Sequence, residues 1–153
     1  MRAPVQFAAM PEIRELLPGE THRAAPALLE LRPQRGPADA LVGLADAQRA
    51  AGYRLVASFE PGEEAAAAVA GFRIAENLAS GRHLYVDDLS TRAEHRGRGH
   101  GGALMRWLAK EACRSGCEQL HLDSGVGADR EDAHRLYFNS GLRISSYHFA
   151  RAL

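Results

Sequence analysis

The sequence predicts a single α/β (α+β) domain over residues 1–153, with a mixed, mostly antiparallel central sheet flanked by helices. Three observations predict it. The length of 153 residues suits one domain that buries most of its apolar surface without disulfides or metals. Segments of strand and helix periodicity alternate in the order β-α-α-β-β-β-α-β-α-β. Three strands follow one another before the next helix, which argues against a purely parallel, doubly wound sheet.

Ile13 to Leu17 is apolar enough for the first strand, and Gly19-Glu20-Thr21 supplies a turn and a helix cap. Ala24, Ala27, Leu28 and Leu31 recur at helical spacing up to Pro33. Ala40, Leu41, Leu44, Ala47 and Ala51 repeat the pattern up to Gly52. Tyr53 to Phe59 reads as a strand, Pro61-Gly62-Glu63 as a turn, and Ala65 to Ile74 as the hairpin partner. The alanines alone fit a helix equally well; the Pro-Gly before them and Val69, Phe72 and Ile74 after them favour the strand.

After the turn at Ser80-Gly81 comes the strand from His83 to Leu89, then a glycine-rich segment. Leu104, Trp107, Leu108 and Ala112 share one face of a helix that stops at Gly116. Leu120 to Leu122 forms a short buried strand. Ala133, Leu136 and Tyr137 mark a helix that starts among acidic residues and ends at Gly141, and Ile144 to Phe149 reads as a closing strand.

Composition narrows the function classes. The chain is 46% hydrophobic and 25% charged with a formal net charge of zero, so nothing global steers it to nucleic acid. Its basic residues are arginines apart from Lys110, but arginines meet a glycine cluster only at Arg96 and Arg98. Cys113 and Cys117 do not make a zinc quartet. Charges interrupt every apolar run, and Met1-Arg2-Ala3-Pro4 has no apolar signal core, so a cytoplasmic protein with reduced thiols and no membrane association is expected.

Gly97, Gly99, Gly101 and Gly102 lie between a strand and an amphipathic helix, which puts side-chain-free backbone at a helix N-terminus. Unpaired amides and a partial positive charge of about half a unit make such a turn an anion site. Arg96 and Arg98 flank it and neutralise phosphate charge, and a protonated His100 adds to this. The run also satisfies G-x-G-x-x-G through Gly97, Gly99 and Gly102, and Asp123 stands about twenty residues further on, imitating a dinucleotide fingerprint. Ser90 to His95 make too long a spacer between Leu89 and the glycines for that tight turn. No Gly-Lys-Ser/Thr closes the loop as a nucleoside triphosphatase requires.

On these residues the chain resembles the GNAT superfamily of acyl-CoA-dependent N-acyltransferases. Arg96, Gly99 and Gly101 match that family's R/Q-x-x-G-x-G/A signature. Asp88-Leu89-Ser90-Thr91 is similar to its cofactor-binding strand, and Ala133, Tyr137 and Gly141 to its A-x-x-x-Y-x-x-x-G helix. The resemblance implies an N-acetyltransferase that moves an acetyl group from acetyl-CoA to a primary amine of a small molecule or protein. It implies that Leu89, Ser90 and Thr91 pair with the pantetheine arm, and that Arg96, Gly97, Arg98, Gly99, His100, Gly101 and Gly102 hold the pyrophosphate. Five residue steps from Thr91 to Arg96 span about 17 Å when extended, enough to run beside such an arm. Two positions depart from the family pattern. Leu142 stands where phenylalanine is common, and Arg130 stands where an asparagine often assists the cofactor.

Attack of a neutral amine on a thioester needs a proton removed from an alkylammonium and a thiolate released. Tyr137 resembles the family's general acid. A phenol of pKa near 10 donating fully to a thiolate near 8.5 goes uphill by about 2 kcal/mol, so a hydrogen bond to the leaving sulfur is its expected role. Asp87, Asp88 and His83 are the candidate bases. Regular alternation would put His83 and Asp87 on one face of the strand and Asp88 on the other, and water is an alternative relay. His134, His121 and His148 are scattered, and no metal is expected. A non-catalytic acyl-CoA sensor and a dinucleotide-binding domain stand as alternatives, and a homodimer is left open.

Overall fold

The computed structural model describes residues 10–153. Five strands form one sheet in the order β1-β2-β3-β4-β5: β1 Glu12–Leu16, β2 Arg54–Phe59, β3 Ala68–Asn77, β4 Gly81–Thr91 and β5 Gln119–Leu122. The first four are antiparallel neighbours and β5 joins β4 in parallel, as the succession of strands before the crossover predicts. Helices α1 (Ala25–Leu31) and α2 (Ala38–Arg49) cover one face. Helices α3 (His100–Arg114) and α4 (Glu131–Asn139) lie toward the other.

Two apolar layers result. Leu28, Leu41 and Ala45 pack on Leu55, Ala57 and Val69, while Leu104, Met105 and Leu108 pack on Val56, Phe72, Leu84 and Val86. The alternation along β2 and β3 fills both, and the alanine run is strand: Ala68 and Ala70 face α3, and Val69 faces α1. Small side chains suit a central strand pressed by helices from both sides. Arg54 closes one edge, making a bidentate pair with Glu15 at 2.7 Å and reaching Glu111 of α3 at 2.9 Å, its guanidinium 4.8 Å above the Phe72 ring.

The closing strand expected at Ile144 to Phe149 does not form. Past Leu142, which packs into the α3 layer, Ile144, Tyr147 and Phe149 are exposed, and no strand among the described residues pairs with them. A strand needs a partner ladder and a covered face. His148 alone of this stretch is recorded in an ion pair, 3.2 Å from Asp123.

Candidate active site

β4 and β5 run together from the pair His83 and Gln119 to the pair Val86 and Leu122. Beyond Val86, β4 continues on β3 alone as far as Thr91, while the chain after Leu122 turns away. The strands part like a V. A cleft of about 320 Å³ opens there, lined by Asp87, Asp88, Leu89, Ser124, Arg130 and Tyr137 among others. The β4 edge from Asp87 to Thr91 thus has main-chain groups without a β5 partner.

A β-bulge shapes this edge. Gly71 pairs with Asp88 but its neighbour Phe72 pairs with Val86, so Asp87 is the extra residue. The bulge breaks the period of two, and the expectation that Asp87 and Asp88 face opposite ways fails. Both carboxylates turn to the α1 side. Asp88 accepts hydrogen bonds from Arg32 Nε at 3.0 Å and from the Tyr53 hydroxyl at 2.8 Å, and Asp87 forms a bidentate pair with Arg73 at 2.8 and 2.9 Å.

Gly71 makes this arrangement possible. A Cβ there would lie 1.9 Å from the Tyr53 hydroxyl oxygen, because the ring crosses over that glycine to reach Asp88. Burial, then the nearby Asp88 charge, pushes the Tyr53 phenol far above its ordinary pKa, so it acts as a donor. Sequence reasoning did not find Tyr53, Arg32 or Gly71. Their only signal is a tyrosine just before the start of one strand that lies diagonally from a glycine of the next, Gly71 itself being opposite Leu55, which needs the register to be seen.

Tyr137 is nearly buried on α4 and its side of the cleft faces the parted strands. Burial raises the pKa of its phenol, with nearby Arg130 opposing. His83 does not join these groups. It is buried near the start of β4, its Nδ1 is 3.0 Å from the Gly81 carbonyl oxygen and its ring lies 5.1 Å from that of His121. Five residues of strand, about 16 Å, separate it from Asp88. His83 does not line this cleft.

The glycine turn adjoins the far end of β4, where Arg96 Nε donates to the Thr91 carbonyl at 3.3 Å. Gly97 and Gly99 have φ of 75° and 86°, left-handed values that favour glycine, and Gly99 is the N-cap of the 15-residue α3. No side chain caps that helix, which leaves its first amides facing outward. Arg96 and Arg98 are mainly exposed. His100 is not available as expected. Its ring is buried, with Nδ1 2.7 Å from Ser58 Oγ and Nε2 2.9 Å from Glu60, so only its backbone belongs to the turn's open face.

The chain that carries this turn and cleft is similar to known proteins. The sequence profile of the acetyltransferase (GNAT) family fits residues 13–141. The chain belongs to this family. It is 34% identical over 100 residues to an uncharacterized N-acetyltransferase, YhdJ, of Bacillus subtilis, covering 65% of this chain and 68% of that one. It is 32% identical over 68 residues to the aminoalkylphosphonate N-acetyltransferase of Salmonella typhimurium, covering 44% and 43%. Among solved structures, the ribosomal-protein-alanine N-acetyltransferase of Brucella melitensis biovar Abortus superposes with a TM-score of 0.79 at 21% identity, over 94% of this chain and 99% of that one. AAC(6')-Iy, solved in complex with the bisubstrate analogue CoA-S-monomethyl-acetylneamine, does so with 0.78 at 14% identity, over 95% and 99%.

This GNAT chain is therefore an acyl-CoA-dependent N-acetyltransferase. The dinucleotide alternative falls with the family and with the mixed, mostly antiparallel sheet. No helix among the described residues is long and apolar enough to cross a membrane.

Proposed function

We propose that the chain transfers an acetyl group from acetyl-CoA to a primary amine of a small molecule or protein by direct attack on the thioester. The observation that carries this reading is the convergence of the free β4 edge, Tyr137 and the Asp87–Asp88 pair on one cleft, with the uncapped glycine turn at its end. The amides of residues 97–102 hold the pyrophosphate, assisted by Arg96 and Arg98. The unpaired main chain of Leu89, Ser90 and Thr91 takes the pantetheine arm as an added strand and polarises the thioester carbonyl.

Tyr137 hydrogen-bonds the departing sulfur. Its raised pKa keeps the phenol protonated and makes full transfer to a thiolate still less favourable than in water, so donation of a hydrogen bond is the economical role. Asp87 and Asp88 already hold Arg73, Arg32 and Tyr53. Each carboxylate oxygen retains a further lone pair, so these acids receive and orient the incoming ammonium while water carries its proton away. The acidic lining, with Asp123 and Asp129 added, favours a cationic acceptor.

Replacing Tyr137 with Phe tests the assignment. Thiol release from acetyl-CoA should fall about 100-fold in kcat, about 2.7 kcal/mol, with acetyl-CoA affinity kept. Unchanged kcat would remove Tyr137 from the reaction. The exposed Ile144, Tyr147 and Phe149, with a β5 edge that has no strand partner among the described residues, favour a homodimer, which sedimentation would reveal as twice the monomer mass.

A further inference from the structure

Outside the cleft, three side chains meet on the inner side of the glycine turn. Glu60 follows β2, His95 precedes the turn and His100 opens α3. One ligand atom from each lies within 4.8 Å of the others, with His100 Nε2 at 2.9 Å and His95 Nδ1 at 3.9 Å from the same Glu60 oxygen. Both imidazoles are more than nine-tenths buried. His95 Nδ1 has no hydrogen-bond partner among the described residues, although it points at Glu60.

The other nitrogens explain why. His95 Nε2 faces two acceptors, Glu63 Oε2 at 3.2 Å and Glu94 Oε1 at 3.8 Å; with the ring proton on that side, Nδ1 presents a bare lone pair. His100 Nδ1 lies 2.7 Å from Ser58 Oγ, which can accept its proton and leave Nε2 bare as well. Two lone pairs would then face a carboxylate oxygen in a buried space. A cation between them resolves this, and the outer partners Glu63 and Ser58 hold the rings as second-layer acceptors do around metal-bound histidines.

We propose that Glu60, His95 and His100 bind one zinc-class divalent ion. Two imidazole nitrogens and one carboxylate suit Zn²⁺, Co²⁺ or Ni²⁺ rather than Ca²⁺ or Mg²⁺, which take oxygen ligands. Metal–ligand bonds of about 2.0–2.1 Å put tetrahedral ligands about 3.3 Å apart, so the observed spacing closes with small side-chain shifts. Arg98, 3.4 Å from the same Glu60 oxygen, is mainly exposed and swings out, and Arg92 remains on Glu63 at 3.6 Å. The ion would tie both flanks of the glycine turn to the end of β2. Its effect on that turn's grip rests on the acyl-CoA reading above; the metal site itself does not. Sequence spacing hid it, because the histidines are five apart and Glu60 is distant in the chain, against the expectation of no metal.

The full chain, stripped with a chelator and free of CoA, is titrated with Co²⁺ and then Zn²⁺. The expected result is one equivalent of Co²⁺ with the visible d–d bands of a four- or five-coordinate site, displaced by Zn²⁺, and at least tenfold weaker binding in Glu60→Gln and in His95→Gln. No such bands, or equal affinity in either folded variant, would overturn the site; the latter would place the ion elsewhere, as at His83 and His121. Should both variants fail to fold, histidine nitrogen NMR of the wild type decides. Zn²⁺ must shift His95 Nδ1 and His100 Nε2, and shifts confined to other imidazoles overturn the proposal. In the metal-free alternative Ser58 donates to His100 Nδ1, Nε2–H donates to Glu60, and the ion finds no bare pair.

Discussion

The bulge midway along β4 and the glycine turn that follows the strand's C-terminal end are built on opposite rules. The turn is held by local backbone: Gly97 and Gly99 have left-handed φ and no atom within 4 Å of where a Cβ would be. The bulge is held by distant side chains, with Tyr53 pressed across Gly71 and Arg32 arriving from the end of α1. One region has open space around its glycines, and the other is filled by side chains. A substitution in the first should therefore act on binding, and one in the second on folding.

The largest effect is expected where space is absent. Gly71→Ala forces the Tyr53 phenol off Asp88, combining overpacking with a lost hydrogen bond to a charged group, about 3 kcal/mol in all. Urea unfolding should show the midpoint fall with little change of slope. An unshifted midpoint would mean that the ring has room to move and that the bulge does not depend on it.

Gly99→Ala should behave in the contrary way. The added Cβ meets nothing, but a non-glycine residue at φ of 86° costs about 1–2 kcal/mol locally, and the turn will relax away from its anion-binding shape. Acetyl-CoA binding should weaken about tenfold in calorimetry, a loss of about 1.4 kcal/mol. If affinity is unchanged while the protein melts early, the turn is only a structural cap.

This contrast also explains what the sequence made legible. The order of strands and helices and the anion turn follow from local periodicity and from glycines at a helix start, and these were readable. The bulge was not, because a period of two assumes an unbroken ladder; it placed Asp87 and Asp88 on opposite faces. His83 lies outside the cleft lining for the same kind of reason, since sharing a strand with Asp88 does not bring a residue to the same cleft. His100 looked like part of a basic loop, yet its neighbours Ser58 and Glu60 come from β2 and the residue after it. The closing strand was inferred from side chains at Ile144 to Phe149 whose exposure only the fold could show.

The smallest effect lies away from both regions. Burial of Glu111 alone would raise its pKa, but Arg54 and Arg114 outweigh this and hold it below its ordinary 4.5. A lowered folded pKa means that the stabilisation is present above the unfolded value and is lost as pH falls through the folded one. Wild type should thus be more stable than Glu111→Gln near neutrality, and the two melting curves should converge as pH falls below the ordinary 4.5 and through the lowered folded value. A gap that persists there would assign the effect to packing.

The central claim is that main-chain amides of the turn take the pyrophosphate while the β4 edge takes the arm. Amide NMR during titration with CoA, and separately with pantetheine, tests it most directly. CoA should move the signals of Gly97 to Gly102 and of Leu89 to Thr91, and pantetheine only the second group. CoA shifts that spare the glycines, or pantetheine shifts equal to those of CoA throughout, would contradict it.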